Sequence, residues 1–182
     1  FNVMTGYAEP PNWEGLAVAP FNLRERFLAL IDREARVSTN LRPGHIMAKM
    51  NSLVDPVVIA HLYKAAAAGV KIELIVRGIC CLKPGVGDAA RNIRIVSVVD
   101  RFLEHSRIFY FANAGKPEYY MASADWMPRN LDRRIEILFP IYDTEMQQLL
   151  ETTMLFALQD KRKGRVLQKN GSYTRTSPKA PR

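Results

Sequence analysis

The spacing of apolar residues changes period several times along this chain, and each change marks an element. Leu23, Phe27, Leu30 and Ile31 recur every three to four places, while Arg24, Arg26, Asp32 and Arg33 mostly avoid that face. This predicts an amphipathic helix that ends near Ser38. Asn22 stands at its start with Glu25 three residues on, in the manner of a capping box. "HIMAKMNSL" then alternates, with Ile46, Ala48 and Met50 on one side of a pleat. "DPVVIAHLYKAAAAG" follows, with Asp55 as N-cap, Pro56 at the first helical position and Gly69 just past the end. "VKIELIVRG" returns to a β-branched apolar run. Strand, helix and strand make a βαβ unit whose strands are parallel neighbours.

Four more strands are predicted at Ile93–Val98, Ile108–Phe111, Tyr119–Ser123 and Ile135–Pro140. "ANAGKPE" between the second and third of these has hairpin-loop composition. Met146, Leu149, Leu150, Met154, Leu155 and Leu158 predict a last helix over 144–158. The fold class is α/β: a mixed, largely parallel sheet with helices on both faces, of one domain over 21–160. Residues 1–20, with three prolines, read as a connector from an upstream half that is missing here, carrying a short strand at Leu16–Ala19. Residues 161–182 read as a basic tail.

Composition adds three constraints. At 182 residues and 48% hydrophobic, the chain suits one domain with a proper core. It has no bilayer-length apolar run and no signal-peptide pattern, and it begins at Phe1, as a piece of a longer polypeptide would. The two cysteines, Cys80 and Cys81, are adjacent, which fits a reducing cytosolic setting and lacks zinc-site spacing. The net charge of +8 lies wholly in the tail, which holds eight Lys or Arg and no acid. Such a segment is expected to be poorly ordered and able to hold a polyanion electrostatically.

Polar residues gather where strands end or begin. Lys49 and Asn51 close the first strand of the βαβ unit and Arg77 closes the second. His105 and Arg107 open a later strand, and Ser123 and Asp125 close the next. Ligands bind outside the carboxyl ends of parallel strands, so Lys49, Asn51 and Arg77 are expected to converge on one crevice. Arginine forks and lysine charges suit phosphate. Positive neighbours favour a histidine's neutral form, which suits a nucleophile or base. Glu104, if on the same strand as His105, points the other way. Phe102, Leu103 and Ile108 are expected to anchor that edge in the core. Arg129, Arg133 and Arg134 pair naturally with Asp125, Asp132 and Glu136. His45 and His61 read as structural. No acidic cluster offers a magnesium cage.

"KMNSLVD", "IVRG", "VVDRFLEHSR" and "SADWMPRNLDRRIE" together carry a resemblance. Over residues 14–160 the chain resembles the C-terminal part of bacterial polyphosphate kinases, whose halves are phospholipase D-like. In that superfamily each half brings an H-x-K-x4-D motif to a shared cleft. This chain is similar to the second half: His105 stands at the histidine position, Arg107 at the lysine position and Ala112 at the aspartate position. Ser123 matches the serine of a Gly-Ser-x-Asn motif, Asp125 replaces its asparagine, and Asn130 and Glu136 follow as later polar positions. The resemblance implies reversible transfer of the terminal phosphoryl group of ATP to inorganic polyphosphate, with magnesium, through a phosphohistidine in the upstream half. It implies that His105 assists catalysis from across the cleft and that Arg77 contacts ATP phosphates. Lys49, Asn51, Arg107, Ser123, Asp125, Asn130 and Arg134 complete the expected ATP- and phosphate-binding set. The partners implied are ATP or ADP, polyphosphate, the upstream half and further copies of the full-length chain, in the cytoplasm or at a membrane surface, without nucleic acid. Two other readings stay open: a homodimeric phosphodiesterase or nuclease half-site, and a non-enzymatic polyanion-binding module.

Overall fold

The computed structural model describes residues 13–87 and 91–176. Its frame is a nine-stranded sheet: β1 (Ala17–Ala19), β2 (His45–Met50), β3 (Lys71–Val76), β4 (Ile93–Ser97), β5 (Arg107–Phe111), β6 (Glu118–Ala122), β7 (Glu136–Ile141), β8 (Arg165–Leu167) and β9 (Tyr173–Arg175). The spatial order is β1-β7-β6-β5-β2-β3-β4-β8-β9. Helices α1 (Leu23–Val37) and α2 (Pro56–Ala67) cover one face, short α3 (Pro128–Arg133) precedes β7, and α4 (Thr144–Gln159) covers the other face. Among the described residues no helix is long and apolar enough to cross a membrane.

Two cores follow from the period-two alternation of the strands. Ile46, Ala48 and Met50 of β2 join Phe27, Leu30, Val58 and Leu62 in the larger core. Met47 faces the opposite way, with Ile75, Val96 and Ile108, against Met154 and Leu158 of α4. The βαβ unit forms as expected. The Asp55 carboxylate accepts from the N–H groups of Val57 and Val58, Pro56 opens α2, and Gly69 adopts φ +91° past its end.

Three expectations need correction. The sheet is mixed, but only β2–β3 and β3–β4 are parallel; the other six pairings are antiparallel. The links after β4 and β5 hold no crossover helix, so β5 and β6 can enter only as reversed neighbours. Asn22 occupies the N-cap position of α1 without bonding the helix, because its Oδ1 accepts from Val18 N at 2.7 Å instead. Helix α4 forms as expected and packs Leu150, Met154 and Leu158 against the second core, while Met146, Leu149 and Leu155 lie off that stripe and stay exposed. The basic tail is folded as far as Thr176. Strands β8 and β9 pair as a hairpin on the edge of β4, and Leu167 enters the larger core. Gly164 permits this turn, since a Cβ there would collide with the Asp160 carbonyl. Residues 177–182, like 1–12 of the expected connector, lie outside the described residues.

Candidate active site at one edge of the sheet

Strand direction gathers the polar residues. Strands β2, β3 and β6 end at the same edge of the sheet where the antiparallel β5 and β7 begin. That edge therefore holds Lys49, Asn51, Arg77, Ser123 and Asp125 beside Arg107 and Glu136.

His105 precedes β5 in a segment, 98–106, without helix or strand, and it is exposed. The Arg77 guanidinium lies 3.2 Å from His105 Nδ1. Arginine has no acceptor, so Nδ1 accepts in this contact and the neutral ring carries its proton on Nε2. Arg77 Nε is buried without a protein partner. Arg107 donates through Nε and Nη2 to both Asp125 oxygens, each at 3.1 Å, and through Nη1 to the His105 carbonyl at 3.0 Å. The planar fork thus ties His105 to the end of β6.

Asp125 is held in turn. Its Oδ1 also accepts from Asn51 N at 2.7 Å, and its own N–H donates to Asn130 Oδ1 at 3.0 Å. Asn130 Nδ2 donates to Glu136 at 3.2 Å, and Ser123 Oγ donates to the other Glu136 oxygen. Arg134 stands 3.9 Å from Glu136 and is half-exposed, with its charge open to solvent. Trp126, fully buried against Phe27 and Phe109, accepts through its carbonyl from Val54 and Asp55 N at 2.9 Å. That contact locks the β6–α3 loop to the β2–α2 loop.

Lys49 is buried at 6% exposure. Its ammonium donates to Ser106 Oγ at 2.8 Å and to Ser106 O at 3.4 Å, and it lies 3.5 Å from the Glu104 carboxylate. Burial holds its pKa below the usual lysine range, Glu104 opposing that shift. Beside it lies a cavity of about 440 Å³ whose lining includes Lys49, Arg77, Val98, Phe102 and Phe156.

All nine candidate residues thus lie at one edge, but several contacts differ from expectation. Glu104 does not point away, because residue 104 is not on a strand. Phe102 and Leu103 are 80% and 70% exposed, so only Ile108 and the aromatics after it anchor that edge. Asp125 pairs with Arg107, and Asp132 with Arg24, rather than with the arginines of α3. Asn51 engages through its backbone. Glu104 and Ser106 were missed as site residues, although they flank His105 in sequence. His45 bonds Glu73 at 3.0 Å and His61 bonds Asp32 at 2.6 Å, both in structural pairs. Both cysteines are free, and burial pushes the Cys80 thiol up to about 11.

A mixed sheet with helices on both faces defines an α/β unit, and its fold is like that of phospholipase D family members. Nuc from Salmonella typhimurium, a phospholipase D family member, superposes with a TM-score of 0.60 over 84% of this chain and 96% of its own, at 12% identity. NucT from Helicobacter pylori does so with a TM-score of 0.54 over 78% and 94%, at 14% identity. These likenesses are of fold. The family model of polyphosphate kinase C-terminal domain 2 matches residues 16–182, and the chain belongs to that family. The polyphosphate kinase of Synechocystis sp. is 50% identical over 181 residues, 100% of this chain and 25% of its own length. Polyphosphate kinase 1 of Chlorobaculum tepidum is 46% identical, over 100% of this chain and 26% of its own. The crystal structure of polyphosphate kinase from Porphyromonas gingivalis aligns with a TM-score of 0.91 at 39% identity, covering 100% of this chain and 28% of that one. The chain therefore spans about a quarter of the length of these relatives.

Proposed function

We propose that this chain is the C-terminal catalytic part of a polyphosphate kinase. The full-length enzyme reversibly transfers the terminal phosphoryl group of ATP to inorganic polyphosphate through a phosphohistidine in its upstream half. It works in the cytoplasm as a homo-oligomer. The observation that carries this reading is the His105 cradle: an exposed imidazole held at Nδ1 by Arg77. Phosphoryl transfer spreads charge over the equatorial oxygens, so positioned cations and donors supply most of the catalysis. Arg77, whose Nε is buried and unpartnered, is the cation that receives ATP phosphates. Arg134, half-exposed at the same edge, is a second. Asn51, Ser123, Asp125 and Asn130 form the hydrogen-bonded network that holds Arg107 and Glu136 at the same edge. A protonated His105, its Nδ1 released as Arg77 turns to the phosphates, passes a proton to the leaving oxygen, and the neutral ring takes it back in the reverse direction.

Among the described residues no three His, Cys, Asp or Glu side chains stand together as a metal cage. Magnesium would sit on the nucleotide's own phosphates, with its protein ligands mainly in the upstream part of the full-length enzyme.

The test uses the full-length polypeptide, magnesium and ATP labelled in its terminal phosphate. Wild type makes labelled polymer, and His105→Ala loses polymer formation by on the order of 10²-fold or more while protein-bound acid-labile label persists. If wild type forms neither polymer nor phosphoprotein, the kinase reading fails. Hydrolysis of a simple phosphodiester would then favour the nuclease half-site.

A further inference from the structure

The candidate cations at this edge do not stand in equivalent surroundings. Arg77 touches His105 through one nitrogen and keeps a buried nitrogen unpartnered. Lys49 keeps nothing in reserve. An ammonium has three N–H donors, and around Lys49 there are three acceptors: Ser106 Oγ, Ser106 O and the Glu104 carboxylate. Residues 104 and 106 are the immediate neighbours of His105 on either side. Lys49 rises from β2, which is paired along its length with β3 on one side and β5 on the other. It is thus a fixed post in the centre of the sheet, next to a segment with no helix or strand of its own.

Burying a lysine is costly unless its charge is paired and hydrogen-bonded. A lysine kept for a phosphate would be expected to hold its ammonium free, whereas this one is spent on the chain around His105. Resting on the kinase reading of the site, we propose that Lys49 is a positioning residue, which grips the backbone and side chains flanking His105 and so sets the reach of its imidazole, rather than a phosphate clamp. Arg107 completes the hold through the His105 carbonyl. The labour is divided: Arg77 meets the substrate, and Lys49 and Arg107 hold the histidine.

The experiment places Lys49→Met in the full-length enzyme, alone and combined with His105→Ala. A misplacement of about 1 Å costs on the order of 10²-fold, so kcat for polymer synthesis is expected to fall roughly 10- to 100-fold, with KM for ATP within about twofold of wild type. The loss acts through His105, so in the His105→Ala background Lys49→Met changes kcat by less than about twofold. Lys49→Arg keeps the charge and restores part of the rate. Backbone amide exchange over 104–106 accelerates in Lys49→Met while β2 and β3 stay protected. A clamp would behave otherwise: KM for ATP or polyphosphate would rise about tenfold or more, the loss would recur in full without His105, and exchange at 104–106 would not change. Any of these overturns the proposal. Ser106→Ala, which removes one acceptor and no charge, carries the same measurements should Lys49→Met fail to fold. If wild type makes no polymer the kinase reading fails, while the exchange measurement still tests the grip of Lys49.

Discussion

Asp125 shows how much one side chain can decide. Its carboxylate accepts from both sides of the Arg107 fork and from the Asn51 N–H, and it is nearly inaccessible to solvent. Removing it leaves a largely buried guanidinium without a counter-charge and a backbone donor without a partner. Asp125→Ala is therefore expected to cost about 3 kcal/mol of stability, read as a lower urea midpoint. It should also impair catalysis in the full-length enzyme, because Arg107 would no longer hold the His105 carbonyl in place. The sequence marks Asp125 as unusual only through the motif position that it fills. Its pairing with Arg107 arises from the β5–β6 register, which sets Arg107 opposite Ala122, three residues before Asp125.

Elements are joined by charged residues at their ends. Arg24 of α1 reaches Asp55, the N-cap of α2, and Asp132 of α3 at 2.7 Å each. Burial alone would raise the Asp55 pKa, but bonding from Arg24 and Val58 N–H more than reverses this and holds it low. Asp55→Ala removes a helix cap and half of a buried ion pair, so a loss of roughly 3 kcal/mol is expected in chemical denaturation. On β3, Glu73 is held down to about 2, from 4.5, chiefly by its bond to His45, with Lys71 assisting against burial. A carboxylate depressed in the folded state contributes stability that is complete above its unfolded pKa. That contribution is lost as pH falls through the folded value. Stability should thus decline between about pH 4.5 and pH 2, and Glu73→Gln should flatten that decline and lower stability at neutral pH. Equilibrium unfolding across this range checks both. Asp55 was legible as a cap from the Asp-Pro pair, whereas its partner on α1 was not, because Arg24 lies 31 residues away and meets it only through helix packing.

At the scale of the molecule, the tail belongs to the sheet. Strand β8 covers the edge of β4 and buries Leu167, and Lys163 pairs with Asp100 in the segment that leads to His105. A solvated tail could be cut away without consequence. Here, truncation after Asp160 should lower the denaturation midpoint and speed amide exchange at Val96 and Ser97, whose edge it uncovers. An unchanged midpoint would mean that β8 and β9 contribute nothing to the sheet's stability.

The sequence by itself determined what depends on neighbours along the chain. Periods of two and of three to four set the elements, Asp-Pro and Gly bounded α2, and the placing of His105, Arg77 and the SADW stretch pointed to the candidate site. Those signals are local, because helix turns, pleats and caps involve residues a few places apart. The tertiary structure alone decided what depends on register and direction between distant strands. It set the antiparallel majority of the sheet, drew the basic tail onto β4, and left Phe102 and Leu103 in solvent. It also turned Lys49 toward Ser106 and Glu104, a contact across 57 residues of chain that no periodicity encodes.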